Sequence, residues 1–230
     1  VITGESDKNT VTIDTSKGDV DVAFDDLKID VSGKAEGDVS GDGPVDAGKA
    51  AVTVQGDHDA TIELDGDNEL KSGDYNAGLE KNGHESKGTL TIKDDKGKDG
   101  SLTAEGGFGG AGIGGGIEST GSNITIRGGT IKAVGGSNAA GIGDGAGAWS
   151  KIDPDAPPSN PNHIIISGDA EVEAKAGAST GGKTAAIGGG IVGEIPNDAL
   201  SDDDHKVTGG SLTRYDPDGK KMEDYSYDRR

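Results

Sequence analysis

The sequence predicts an all-β chain that folds as a right-handed parallel β-helix, a single-stranded solenoid. Two observations predict it: short stretches in which Ile or Val alternates with polar residues, and 43 glycines that recur between those stretches. The alternation has the two-residue period of a half-buried strand, and Ile, Val and Thr are β-branched residues that suit strands. Helix is disfavoured, because each interior Gly costs about 1 kcal/mol relative to Ala.

Composition alone leaves a disordered chain as the alternative. Hydrophobic residues make up 30% of the 230 residues and the net charge is −20, a combination typical of chains that cannot bury a large core. A solenoid needs only a narrow apolar strip in each turn, because every repeat is covered by its two neighbours. The periodicity of the few apolar residues therefore favours the solenoid.

The repeating unit is clearest in residues 123–145, NITIRGGTIKAVGGSNAAGIGDG. It consists of a strand, a Gly turn, a second strand, a Gly-Gly turn and a short Ala-Gly-Ile-Gly piece, and similar units occupy residues 51–81, 101–116 and 163–190. Repeat lengths of about 20–50 residues are typical of solenoids. The anchors of the short piece are 34, 29 and 45 residues apart, and we expect them to form one interior ladder: Leu79, Ile113, Ile142 and Ile187.

The remaining segments are assigned in chain order. Residues 9–33 alternate and are expected to form the first coils, and residues 34–48 an acidic, Gly-rich loop. The longest interval between anchors contains residues 149–162, whose prolines cannot pair regularly in a sheet, so we predict an insertion loop there. The β-helix domain is predicted to span residues 1–212, and the polar residues 213–230 to form a tail or the start of a linker.

Four glycine-rich segments carry a resemblance to a known group of proteins. GGAGIGGG, GGTIKAVGG, AAGIGDG and TAAIGGG resemble the AGIGGG repeats of large cell-surface proteins of Gram-positive bacteria, regions described as adhesin-like or carbohydrate-binding. The resemblance covers about residues 10–212 and implies a right-handed parallel β-helix on the cell surface. It implies no catalytic or binding residue. Asp144 departs from the glycines of the repeat.

Two glycine-rich motifs match phosphate-binding patterns. GASTGGKT at 177–184 has the spacing of a phosphate-binding loop, in which Lys183 and Thr184 would contact phosphate and Mg²⁺. GFGGAG at 107–112 matches a dinucleotide fingerprint. Both patterns require a helix after the glycines, and both segments coincide with the Gly corner of the repeats. We interpret both as structural corners.

Acidic runs at 65–69, 202–204 and 216–219 offer loop carboxylates for Ca²⁺, which takes about six to eight oxygen ligands. None of the runs has the spacing of an EF-hand, and 42 acidic residues make chance runs common. We therefore expect no metal site and no required cofactor, and keep calcium as a candidate ligand.

Exposed aromatic rings are the side chains on which sugars stack, and this chain has one Trp, four Tyr and two Phe. The candidate ligand-binding residues are Trp149, at the mouth of the insertion, and Tyr75, in a turn. For Trp149 an equal alternative is that it clamps the insertion onto the flank of the β-helix.

The expected function is a non-enzymatic bacterial surface module that mediates adhesion, binds glycan or protein weakly, or projects other domains. The alternative is a polysaccharide-processing β-helix enzyme, a lyase or a hydrolase. Such an enzyme needs a base or paired carboxylates, and the four histidines do not converge in sequence, so we expect no catalytic residues: His58, His84, His163 and His205.

Partners and location follow from charge, hydropathy and the resemblance. The net charge of −20 disfavours nucleic acid, and no apolar run reaches the ~18–20 residues that span a bilayer. The chain has no cysteine, so no disulfide supports the fold. We expect a glycan or a component of the host surface or cell wall as partner, an extracellular or cell-surface location, and a larger multidomain parent chain.

Overall fold

A computed structural model describes residues 1–32, 48–96, 99–121, 123–148, 164–179, 184–190 and 205–222. These residues form an all-β structure with almost no helix. The first strands are β1 (Ile2–Ser6), β2 (Val11–Asp14), β3 (Val20–Asp30), β4 (Val52–Gln55), β5 (Ala60–Asp65), β6 (Asp67–Lys71), β7 (Leu79–Glu80), β8 (Leu90–Lys93) and β9 (Ser101–Glu105). The later ones are β10 (Ile113–Gly114), β11 (Ile124–Ile126), β12 (Thr130–Val134), β13 (Ile142–Gly143), β14 (Ile164–Ile166), β15 (Glu171–Lys175), β16 (Ile187–Gly188), β17 (His205–Val207) and β18 (Ser211–Tyr215).

The strands pair in parallel with a period of three, which produces three strips of sheet. Strip I contains β2, β4, β7, β10, β13 and β16. Strip II runs from the first half of β3 through β5, β8, β11, β14 and β17, and strip III from the second half of β3 through β6, β9, β12, β15 and β18. Three consecutive strands, one from each strip, therefore make one coil. The arrangement is consistent with a β-helix or solenoid.

Strip I contains the four anchor residues. Ile113 pairs with Leu79 on one side and with Ile142 on the other, and Ile142 pairs with Ile187. All four side chains are completely buried. The register therefore places these residues in one stacked column, the position that their spacing in the sequence predicts.

Strips II and III supply the other inward-facing columns. In strip II, Ile62, Ile92, Ile126 and Ile166 are neighbours in register and are fully buried. In strip III one column changes from Leu70 through alanines to Arg214, which is also buried. The apolar character of this column thus ends at the sixth coil.

The glycine corners allow consecutive coils to approach each other closely. A Cβ atom on Gly136 would overlap the carbonyl oxygen of Gly107, and one on Gly177 would overlap that of Gly136. Neither position could hold a side chain without moving the neighbouring coil. This packing supports the interpretation of GFGGAG as a corner, since β10 and not a helix follows it. In the second motif Thr184 donates its hydroxyl hydrogen to Gly177 O and β16 follows, while Lys183 lies outside the described residues.

Asp144, the departure from the glycine repeat, has a local structural role. Its carboxylate is buried and accepts a hydrogen bond from Gly121 N–H at 2.9 Å. It thereby satisfies a backbone donor in the corner of the preceding coil.

The predicted domain boundary at residue 212 is too early. Strand β18 continues to Tyr215, which pairs with Lys175 of β15, and Lys221 then forms an antiparallel bridge back to Tyr215. The start of the predicted tail therefore belongs to the sheet, because the ladder of β15 extends beyond Leu212. The predicted insertion loop at 149–162, and nearly all of the predicted loop at 34–48, lie outside the described residues.

Candidate functional site

An exposed aromatic pair lies at the corner between strip III and strip I. The rings of Tyr75 and Phe108 are arranged edge to face, with centroids 6.0 Å apart and an interplanar angle of 89°. Phe108 is 48% exposed, the most exposed aromatic side chain among the large hydrophobic residues of the described chain. Tyr75 N–H donates to Phe108 O at 2.7 Å, so the backbone fixes the pair as well as the rings do.

The backbone of Tyr75 has an unusual conformation. Its φ is 72°, and the same corner of the next two coils contains Gly109 at 77° and Asn138 at 68°. Gly and Asn are the residues that adopt positive φ most easily, whereas a bulky side chain there is an outlier. Backbone strain of this kind clusters at functional sites. Tyr75 is therefore a strained residue on an exposed corner.

Two carboxylates lie close to the aromatic pair. Gly116 connects the two groups, since a Cβ on it would lie 2.8 Å from both Tyr75 O and Glu80 Oε2. Glu80 Oε1 accepts a hydrogen bond from Asn82 Nδ2 at 3.2 Å, and the same nitrogen lies 3.3 Å from Glu85 Oε2. The two carboxylate oxygens are therefore within 6.5 Å of each other, the sum of those distances. We call the five residues of this corner the candidate site: Tyr75, Glu80, Asn82, Glu85 and Phe108.

Strip I and its corners hold these side chains in place. Asn82 Oδ1 accepts a hydrogen bond from Gly116 N–H at 2.9 Å, which fastens the 82–85 turn to the next coil. Glu80 Oε2 accepts another from Ala77 N–H at 3.1 Å. Glu80 takes the register position that Gly114 holds in the following coil, and the absence of a side chain there leaves room for its carboxylate.

A histidine and a serine extend the polar part of the corner. His84 Nε2 lies 3.6 Å from Glu85 Oε1, and its Nδ1 lies 3.4 Å from the hydroxyl of Ser119. The contacts are long for hydrogen bonds, and the histidine ring is mostly exposed. The group can exchange hydrogen bonds with a ligand at the surface.

Burial changes the ionisation of two adjacent residues. It raises the pKa of the Glu80 carboxyl to about 7 despite the hydrogen bond from Ala77 N–H, and the nearby charge of Glu85 adds to the rise. It lowers the pKa of the Lys81 ammonium to about 8, an effect that Asp59 opposes. Lys81 is buried and donates to Ser86 O at 3.0 Å. The protonation state of Glu80 thus changes near neutral pH.

These residues can bind a ligand with two kinds of contact. The aromatic rings offer an apolar face for the C–H surface of a sugar or for an apolar side chain. The carboxylates accept hydrogen bonds from hydroxyls, and Asn82 and His84 can donate. A neutral Glu80 beside an ionised Glu85 would also be a proton donor next to an acceptor.

The sequence-predicted site residues have different outcomes. Tyr75 is part of the candidate site, whereas Trp149 lies outside the described residues. Phe108 and Glu80 were missed, although each left a signal. Phe108 follows Tyr75 by 33 residues, close to the spacing of the anchors, and Glu80 is a charged residue where the next repeat has Gly.

The acidic runs considered for calcium serve local structure where they are described. Asp67 Oδ1 accepts a hydrogen bond from Ser101 Oγ at 2.8 Å, and Glu69 pairs with Lys71 at 2.6 Å. Asp216 Oδ1 caps a turn by accepting from Lys220 N–H at 2.7 Å. In the part of the chain that the structure describes, no three His, Asp or Glu side chains group as metal ligands. The run at 202–204 lies outside that part.

Comparisons of the chain with protein families, with curated proteins and with solved structures found no match. Among the described residues no helix has the length and apolar character needed to cross a membrane.

Proposed function

We propose that the chain is a non-enzymatic bacterial surface module, a right-handed parallel β-helix that binds a glycan weakly through the candidate site. The observation that carries the proposal is the exposed Tyr75–Phe108 pair next to two carboxylates. A solvent-exposed apolar ring costs free energy unless a partner covers it, and rings beside hydrogen-bonding groups suit a sugar better than a purely apolar surface. Adhesion to a host surface or to the cell wall is the role that fits such binding.

The handedness and location in this proposal have their own support. Crossover connections between parallel strands are right-handed in about 98% of cases, and every connection within a strip is such a crossover. The net charge of −20 keeps long outer faces soluble. An extracellular, multidomain parent is proposed from the glycine-rich repeats and the lack of cysteine.

The test is a glycan array followed by titration with the best neutral oligosaccharide. The variants are Tyr75→Ala and Phe108→Ala, and the control is Ile165→Ala, which removes an apolar side chain that is 36% exposed on β14. We expect each aromatic variant to weaken binding by about tenfold or more, and the control to bind as the wild type does. Equal binding by all four proteins would overturn the proposal.

One observation favours a second candidate function, a polysaccharide hydrolase. Glu80, with a pKa raised to about 7 by burial, lies near Glu85, and a carboxylic acid beside a carboxylate is the pair that glycoside hydrolysis requires. In that mechanism Glu80 would donate a proton to the leaving oxygen and Glu85 would act as nucleophile or base. New reducing ends after incubation with polysaccharides, lost in Glu80→Gln, would establish it. Unsaturated products would indicate a lyase instead.

A further inference from the structure

A groove crosses the outer face of strip II, on another side of the coil from the candidate site. Its volume is about 510 Å³, and its lining comes from β3, β5, β8 and the residue after β11. Neighbouring strands lie about 4.8 Å apart, so four strands span about 14 Å. The groove is within the size range of small-molecule sites. We call it the strip II groove.

A buried carboxylate forms one wall of the groove. Glu63 is only 6% exposed although it faces outward on β5, because the turn after β8 folds over it. Its Oε1 accepts hydrogen bonds from Asp95 N–H at 2.9 Å and from Lys96 N–H at 3.0 Å. Its Oε2 accepts no hydrogen bond and faces Lys93 Nζ at 3.2 Å as an ion pair. The wall is thus held by a buried acid with unused acceptor capacity.

Three cations meet at this groove in a chain with a net charge of −20. Lys93 is neutralised, since it contacts Asp95 at 2.7 Å and Glu63, and hydrogen bonds from Asp95 and then Glu63 raise its pKa. Lys96 is exposed beside it. Arg127 is exposed on the next coil, at the register position of Lys93, because its N–H donates to Ile92 O at 2.8 Å.

The floor of the groove is polar and shallow. Thr61 and Thr91 are neighbours in register and both point outward with partly exposed side chains. Their hydroxyls can donate and accept hydrogen bonds. Ala23, beside Glu63 in register, adds only a methyl group. Such a floor suits hydroxyl-rich ligands more than apolar ones.

We propose that the strip II groove binds a short oligosaccharide that carries an anionic group, with the anion facing Lys96 and Arg127 and the hydroxyls on Thr61, Thr91 and Glu63. The guanidinium of Arg127 can bind a carboxylate or a sulfate in bidentate fashion. This site is independent of the candidate site and goes beyond the proposed function. Long polyanions are disfavoured, because the acidic remainder of the chain repels them beyond the reach of the two cations.

The experiment titrates the whole chain with trigalacturonate and with its methyl ester, which keeps the sugar rings and removes the charge. A sulfated disaccharide is the second anionic probe. Backbone amide shifts locate binding, and we expect them at Thr61, Thr91 and Arg127. The methyl ester should bind about tenfold more weakly, and salt at about 0.5 M should weaken the anionic probe through screening. Tighter binding of trigalacturonate than of the sulfated probe, or the reverse, identifies the anion.

Matched variants separate the groove from general electrostatics. Lys96→Ala combined with Arg127→Ala should weaken the anionic probe by about tenfold or more, whereas Lys8→Ala, an exposed cation elsewhere, should not. Glu63→Gln should strengthen it, because a negative charge is removed. Unchanged binding in the double variant, or equal affinity for the ester and the acid, would overturn the proposal. Tyr75→Ala should leave groove binding intact, so failure of either site is seen separately.

Discussion

Tyr75 occupies in its coil the corner position that Gly109 occupies in the next, and both residues have positive φ, 72° and 77°. The backbone there is shaped for a residue without a bulky side chain, yet the chain places an aromatic ring on it. That ring makes the edge-to-face contact with Phe108.

Replacing Tyr75 with Asn is expected to separate stability from binding. Relief of the strained backbone gains about 1–2 kcal/mol, and loss of the ring contact costs about 0.5–1.5 kcal/mol. The free energy of unfolding in urea should therefore stay within about 1 kcal/mol of the wild type, while glycan binding falls by about tenfold. A loss of more than about 3 kcal/mol would mean that Tyr75 is a structural residue.

Glycine at position 136 is expected to be required by packing. A Cβ there meets the Gly107 carbonyl, so Gly136→Ala should destabilise the fold by about 3 kcal/mol or more. The control is Gly18→Ala: Gly18 has φ of 151° with nothing within 4 Å of its Cβ, so only backbone strain of about 1–2 kcal/mol is expected. Urea denaturation measures both. Equal losses would contradict close packing between the coils.

The isoleucine ladder is expected to carry much of the stability. Ile142→Ala removes a fully buried side chain between Ile113 and Ile187, and such truncations cost about 2–5 kcal/mol. Ile165→Ala on the outer face of β14 should cost less than about 1 kcal/mol, because that side chain is 36% exposed. The same unfolding experiment distinguishes them, and similar losses would place Ile142 outside the core.

The stability is expected to depend on pH through Glu80. Its pKa is raised from 4.5 to about 7 in the folded chain, so the folded state binds a proton more tightly than the unfolded state. The stability contribution is complete below about pH 4.5 and is lost as the pH rises through about 7, a difference of about 2–3 kcal/mol.

Glu80→Gln is the control for that titration, because it resembles the neutral carboxyl and cannot ionise. Between about pH 5 and pH 8 the wild type should lose about 2–3 kcal/mol relative to this variant. Lys81 has the opposite dependence, since its pKa is lowered to about 8 and its contribution grows above that pH. Parallel pH curves for the wild type and Glu80→Gln would show that Glu80 is not buried as described.

Much of the all-β structure could be predicted from local patterns. Alternation marks Ile124 and Ile126 as inward residues of a strand, and repeated spacing brings Leu79 and Ile113 into one column. The extent of β18 to Tyr215 could not be predicted, because its polar sequence is held by the ladder of β15 rather than by its own burial pattern. Tyr75 was identifiable as an aromatic residue in a turn, but its partner was not.

The sequence by itself determined the strands, their parallel stacking order and the glycine corners, because period-two hydrophobicity and a repeat length are properties of the chain alone. Only the tertiary structure decided which surface residues become neighbours. Phe108 meets Tyr75, and Arg127 joins Lys93, across coils more than 30 residues apart in sequence. The physical reason is register: outward-facing side chains contribute little to core burial, so no hydrophobic pattern records their alignment.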